Sequence, residues 1–368
     1  FFEKDIKPVK KIVYKIRIED KLKKIKNLQP ENPDQWLELY RKFYEAERLA
    51  EKENKMMDFQ EKFNELEDEK NNQFAEYYLK NYPGWLKGTL NDAPMLSHQV
   101  FKSVKSKERS TYYLIIDGMR YDQWLYIKDD LSAQILKNYK LADFKDYYFS
   151  VIPTVTEIAR KSLIGGKKFS DISKGNSDDY LLKSLFSAKT MMSSYNSDKS
   201  WRTFEIENLI EDKPDVLVIR IQNMDNVIHK LQETKNPINN GKLLDYFQAE
   251  MKHDIFHLIS SLIELNSRIV ITADHGCIVS RGEQKIDKNG IILRERYFIK
   301  SPEKIIKPEN YFTISSGEIG MPEISHEYCF MKNPYISPKK NQISPNSVTH
   351  GGVSLNECVV PLAVFDPA

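Results

Sequence analysis

The 368-residue chain holds only three cysteines, Cys277, Cys329 and Cys358. Their number is odd and no CxxC spacing occurs, which argues against a disulfide framework or a cysteine-type zinc site and makes a reducing cytoplasm the expected compartment. Net charge is equally scarce, since 55 Lys and Arg face 53 Asp and Glu and leave +2. That balance gives no sign of a global pull toward nucleic acid or a membrane surface. No apolar run reaches the roughly 20 residues that span a bilayer, and no signal peptide is visible. Internal repeats and low-complexity tracts are missing as well. What remains, 40% hydrophobic and 29% charged residues, is the make-up of a soluble globular protein. The length predicts two or three domains.

One segment departs from the even balance. The first 27 residues carry ten Lys or Arg against four Asp or Glu, a local +6 that reads as a solvated helix face or a linker. The chain opens Phe1-Phe2-Glu3 rather than with Met, so a fragment with a further upstream part is expected.

Residues 33 to 83 are rich in Glu, Lys, Ala, Leu and aromatics and, after Pro33, lack Pro and Gly until "NYPGW". Trp36, Leu39, Tyr40, Phe43 and Ala46 recur at helical spacing, as do Phe74, Tyr77, Tyr78 and Tyr82, which predicts helices with a packed aromatic stripe. After residue 110 short apolar runs alternate with helical stretches. "YYLII" (112–116), "YYFSVI" (147–152), "DVLVIRI" (215–221), "RIVITA" (268–273) and "CVVPLAVF" (358–365) read as strands, several buried on both faces. Helices are expected over 156–165 and 243–266, and loops at "GNSDDY" and "SSYNSDKS". This order predicts an α/β domain with a mostly parallel central sheet flanked by helices, after an N-terminal helical region. The expected division is 1–108, helical region and linker, and 109–368, the α/β domain.

Ligands of such sheets bind at the carboxyl ends of the strands, so the residue after each apolar run is the informative one. "LIIDG" delivers Asp117, "IRIQNMDNVIH" delivers Asp225 and His229, and "ITADHG" delivers Asp274 and His275. "SVIPTVTEIAR" passes from a strand into a helix start with Thr154 and Thr156, and "SVTHGG" sets His350 beside two glycines. Each piece alone is weak, since an Asp after a strand is most often a turn or a cap. Mixed carboxylates and imidazoles suit zinc or another borderline divalent ion. Six such side chains plus a hydroxyl would crowd one tetrahedral ion, so two metal ions fit better.

The order Asp, Thr, Asp-x-x-x-His, Asp-His, His resembles the ligand order of the alkaline-phosphatase superfamily. The stretches "LIIDGMRYDQW" (114–124), "PTVTEIARKSLIGG" (153–166) and "VTHGGVSLNECVVPLAVF" (348–365) resemble its PglZ-domain branch. Upstream, "WLELYRKFYEAE", "NQFAEYYLKNYPGWL" and "APMLSHQVF" are similar to the helical region of PorX-like response regulators, here without a visible receiver domain. The resemblance implies an alkaline-phosphatase-like fold and two divalent ions, most simply zinc. One would be held by Asp117, Thr156, Asp274 and His275, the other by Asp225, His229 and His350.

A threonine hydroxyl needs activation at neutral pH, and coordination to a divalent ion supplies it. Thr156 is therefore the expected nucleophile. Thr154 is the alternative, although its spacing to Glu157 fits a capping box and a structural task. Arg160, four residues after Thr156, and Arg120 are candidate substrate contacts. A threonine nucleophile argues against a sulfatase. The resemblance implies a phosphodiesterase acting on nucleotide-type esters, cyclic or short oligonucleotides, in a signalling setting with an upstream receiver domain and sensor kinase. Homodimerisation through the helical region is a further expectation, and no membrane partner is expected. The alternatives are a metal-stabilised signalling scaffold and a phosphomonoesterase. His253 and His257 sit four apart on a helical stretch without the glutamate of an HExxH site and read as structural, as do His98 and His326.

Overall fold

A computed structural model describes residues 2–134, 137–195, 211–222, 239–283, 292–301, 303, 311–322, 325–336 and 348–368. Helix α1, Phe2–Asn27, takes up the basic N-terminal segment. Helix α2, Pro33–Lys52, starts cleanly because the Asn32 side chain accepts the Gln35 N–H at 3.0 Å and Pro33 needs no partner there. Asn54, at φ 53°, ends it, so the single helical stretch of the sequence divides. Helix α3, Met56–Lys87, runs on through Pro83 to a left-handed Gly88. Helix α4, Ser97–Val104, follows.

The α/β part opens with β1, Thr111–Ile116, and α5, Tyr121–Gln134, then β2, Tyr139–Leu141, and β3, Tyr147–Phe149. Next come α6, Thr156–Gly165, α7, Asp178–Leu185, β4, Thr190–Tyr195, and β5, Val216–Ile221. The expected 243–266 helix is two, α8, Asn240–Glu250, and α9, Lys252–Ile263, broken at Met251, and β6, Arg268–Thr272, follows. Short strands β7, Ile278–Val279, and β8, Gly282–Glu283, precede β9, Ile292–Leu293, β10, Tyr297–Lys300, β11, Tyr311–Ser315, and β12, Glu327–Met331. The chain closes with β13, Tyr335–Ile336, β14, Val348–Thr349, α10, Leu355–Cys358, and β15, Val359–Pro367.

The main sheet has the order β2-β15-β6-β1-β5-β4, with β3 also on β15. Strands β6, β1, β5 and β4 are mutually parallel, while β15 runs against β6, β2 and β3. The mostly parallel sheet of the sequence reading is therefore present with one reversed strand. Every residue of β1 is buried, as a run without alternation requires. Strand β4 escapes the sequence reading because "TMMSSY" has no strong apolar pattern; its Ser193–Tyr195 belong to the expected loop "SSYNSDKS". The sequence pattern also misses the antiparallel sheet β11-β12-β10-β9.

The predicted aromatic stripe is packing. Trp36, Leu39, Tyr40, Phe43, Ala46, Phe74, Tyr78 and Tyr82 are buried. Phe149 of β3 meets Phe74 at 5.6 Å and Trp85 at 5.7 Å, so helices and sheet share one core. Among the described residues, no helix is long and apolar enough to cross a membrane.

Candidate metal centre

Parallel strands put their carboxyl ends on one edge, and the site is built there. The Asp117 N–H continues the β1–β5 ladder by donating to the Ile221 carbonyl at 3.0 Å, after which Gly118 turns the chain. On the neighbouring parallel strand, β6 ends and Asp274 and His275 follow. The Tyr148 hydroxyl donates to the Ala273 carbonyl, and the Ser150 hydroxyl donates to the Asp274 carbonyl at 2.8 Å, so β3 fixes that loop. Asp274 Oδ1 accepts the N–H groups of Gly118 at 3.3 Å and His275 at 3.1 Å and ties the two strand ends together.

Asp117, Asp274 and His275 are buried, and one ligand atom from each lies within 4.8 Å of the others. His275 Nε2 stands 3.8 Å from Asp117 Oδ1 and 3.8 Å from Asp274 Oδ2. Asp274 Oδ2 is buried without a hydrogen-bond partner among the described residues. A buried carboxylate oxygen in that position calls for a proton or a cation. Burial pushes the Asp274 carboxyl up to about 6, against the opposing pull of Arg160. The donor set fits a divalent ion: two carboxylates for charge, and an imidazole whose tautomer is fixed. His275 Nδ1 lies 2.9 Å from the Gly276 carbonyl, which can only accept, so Nδ1 carries the hydrogen and Nε2 keeps its lone pair.

Thr156 is the first residue of α6, and its Oγ1 lies 3.0 Å from His275 Nε2. Thr154 stands apart and is fully buried. Its hydroxyl donates to the Gly352 carbonyl at 2.8 Å and accepts the Gly351 N–H at 3.1 Å. No capping box forms at α6, whose N-cap is Val155 without a side-chain bond. The His350 ring stacks on His275 at 4.3 Å, and its Nδ1 donates to the Thr154 carbonyl at 3.0 Å. Gly351, at φ 112°, makes that turn possible, so this glycine serves backbone shape. Asp225 and His229 lie outside the described residues.

Arg160 reaches the site's edge, with Nη1 3.9 Å from Asp117 Oδ2 and Nε donating to Asp178 Oδ2 at 2.8 Å. Arg220 shares that oxygen through Nη1 at 3.0 Å and also donates to the Ser194 hydroxyl. Sequence reasoning missed Arg220 and Asp178. The signal was a lone arginine in the apolar run "VLVIRI", one residue before the strand end. Arg120 is not in this group. It is buried and donates from its guanidinium to both Asp122 oxygens, at 2.9 and 2.5 Å, and to Asn240 at 2.7 Å. His253 is exposed on α9 and, among the described residues, is not part of a metal-binding group.

No curated protein matches the chain. Among solved structures it is similar to murine ectonucleotide pyrophosphatase/phosphodiesterase 5, at 13% identity over 69% of this chain and 88% of that one, with a TM-score of 0.46. It is similar to the human form at 11% identity over 71% and 88%, TM-score 0.49. It also resembles phosphonoacetate hydrolase from Sinorhizobium meliloti 1021, at 13% identity over 70% and 89%, TM-score 0.46. The model of the BREX system PglZ alkaline phosphatase-like domain matches residues 95–365, about three quarters of the chain, and the chain belongs to the PglZ family.

Proposed function

We propose that this chain is a metal-dependent phosphodiesterase with Thr156 as its nucleophile, acting on nucleotide-type phosphodiesters. The observation that carries the reading is the Thr156 hydroxyl at 3.0 Å from His275 Nε2, beside the buried Asp117 and Asp274 carboxylates. Asp117, Asp274, His275 and Thr156 would hold one divalent ion, most simply zinc, and His350 would serve a second together with Asp225 and His229. Such an ion, when bound, lowers the pKa of a coordinated hydroxyl and neutralises charge developing on phosphoryl oxygens.

The rest falls to the chain's own groups. The Gly276 carbonyl holds the Nδ1 hydrogen of His275, so Nε2 faces Thr156 as an acceptor. Placement of Thr156 at the start of α6 sets its oxygen in the positive end of the helix dipole, which favours an anionic oxygen there. Arg160 and Arg220, both tied to Asp178, offer two guanidinium faces to non-bridging phosphate oxygens.

The test is hydrolysis of bis(p-nitrophenyl) phosphate and p-nitrophenyl phosphate by wild type and Thr156→Ala, with metal content measured on both. The expected result is bound divalent metal, preference for the diester, and a loss of about a thousandfold in kcat for the variant, roughly 4 kcal/mol of barrier. A metal-free wild type, or a Thr156→Ala enzyme of undiminished rate, overturns the reading.

A further inference from the structure

We propose that α3 is a positioning element of the metal centre, holding in register the two loops that carry His275 and His350 although it contributes no ligand. The inference rests on the reading of those histidines as metal ligands. Asn64, Glu67, Asp68, Asn71 and Asn72 follow at helical spacing and form one ridge along α3. A polar ridge in a Glu- and Asn-rich helix usually faces water. Here it is spent on the loops behind the site.

Two paths lead from the ridge to the histidines. On the first, Glu67 Oε1 accepts from Asn356 Nδ2 at 2.7 Å, and Asn71 Oδ1 accepts the Leu355 N–H at 2.9 Å. Those bonds fix the turn of α10 against Gly276, whose N–H donates to the Glu357 carbonyl at 2.9 Å. The fit is close enough that a Cβ on Gly276 would sit 1.9 Å from the Asn356 carbonyl oxygen. Gly276 in turn receives the His275 Nδ1 hydrogen at 2.9 Å, the bond that fixes the imidazole's tautomer and plane. Arg281, five residues beyond Gly276, reinforces the same loop by donating to Glu67 at 3.1 Å, to Asp68, and to the Asn64 carbonyl at 3.2 Å.

On the second path, Asn72 and Asn333 exchange two bonds, at 3.1 and 2.9 Å. Arg296, fully buried, takes the Asn333 side chain at 2.9 Å and pairs with Glu357 at 3.3 Å. Glu357 Oε1 accepts the Gly352 N–H at 2.7 Å, two residues after His350. Both paths meet at Glu357, whose bonds to Gly352 and Arg296 are buried, where an alternative partner is costly.

The experiment uses the full chain and zinc alone as probe, with affinity read by competition against a chromophoric chelator well below the melting temperature. Asn71→Ala cuts the first path and Asn72→Ala the second; Asn81→Ala, whose side chain donates to the Tyr77 carbonyl of its own helix, is the control. The expected result is zinc affinity lowered about tenfold by either ridge variant and unchanged in Asn81→Ala. Asn72 is only partly buried, so that variant tests the idea even where Asn71→Ala does not fold. Ridge variants that melt earlier yet bind zinc as wild type does overturn the proposal and leave the metal-centre reading standing. A wild type that takes up no zinc fails the metal-centre reading itself, and the proposal falls with it.

Discussion

Glu47 shows how a single residue can be misjudged from its type. In an α2 full of solvated Glu and Lys it is buried, facing Glu67, Asp122, Arg120 and Asn240. Burial, chiefly, and then the charges of Glu67 and Asp122 push its carboxyl up to about 8 from 4.5, with Arg120 opposing. A raised carboxyl binds its proton more tightly folded than unfolded, so stability is lost as pH rises between about 4.5 and 8 and changes little beyond. Glu47→Gln keeps the shape without the titration. Denaturant melts at pH 5 and pH 8 are expected to show a wild type that weakens toward pH 8 and a variant that weakens less; equal slopes would refute the assignment. Thr156 and Thr154 make the opposite point. Two residues of one type and nearly one position divide because one hydroxyl lies beside His275 and the other is consumed by the Gly351–Gly352 turn.

Among the elements, α6, α7 and β5 together bear on the proposed substrate site. No one of them carries an anion site, but Asp178 at the first turn of α7 draws Arg160 of α6 and Arg220 of β5 onto one carboxylate oxygen. Burial, and then the neighbouring charge of Arg160, lower the Arg220 pKa, the condition of a guanidinium that gains from a bound anion. Asp178→Asn preserves shape and removes the shared charge. It is expected to raise KM for a phosphodiester about tenfold because both guanidinium groups lose the carboxylate that holds them in place, with a smaller change in kcat. An unchanged KM would remove the arginine pair from the substrate path. The helix over 156–165 was legible in the sequence to the residue, because Pro153 and the glycine pair bound it. The 243–266 helix was not, because the break at Met251 lies between two apolar faces that continue one another in sequence.

For the whole molecule, the helical region and the α/β part share one apolar core and a polar seam, so a metal held at the proposed centre would be linked to global stability. Zinc at a hundredfold excess over its Kd adds about 2.7 kcal/mol to a fold that binds it only when native. The expected outcome is a melting temperature several degrees higher with zinc, reversed by chelator, and insensitive to zinc in Asp274→Asn. A shift of equal size in that variant would show that zinc acts elsewhere.

The sequence by itself determined the class of fold and the identities of the candidate ligands. Strands buried on both faces must be apolar, and the polar residues that end them stand out against that background. Asp117, Asp274 and His275 could be picked for that reason, and their adjacency to strand ends follows from a parallel sheet. Only the tertiary structure decided which of the remaining polar residues face one another. Arg160 and Arg220 meet across a carboxylate from a third element, Arg120 turns away into the seam with the helices, and the α3 ridge lies against loops more than two hundred residues away. Periodicity records which face of an element is apolar. It carries no record of which distant polar partner will satisfy a buried donor, because that pairing is fixed when the elements pack.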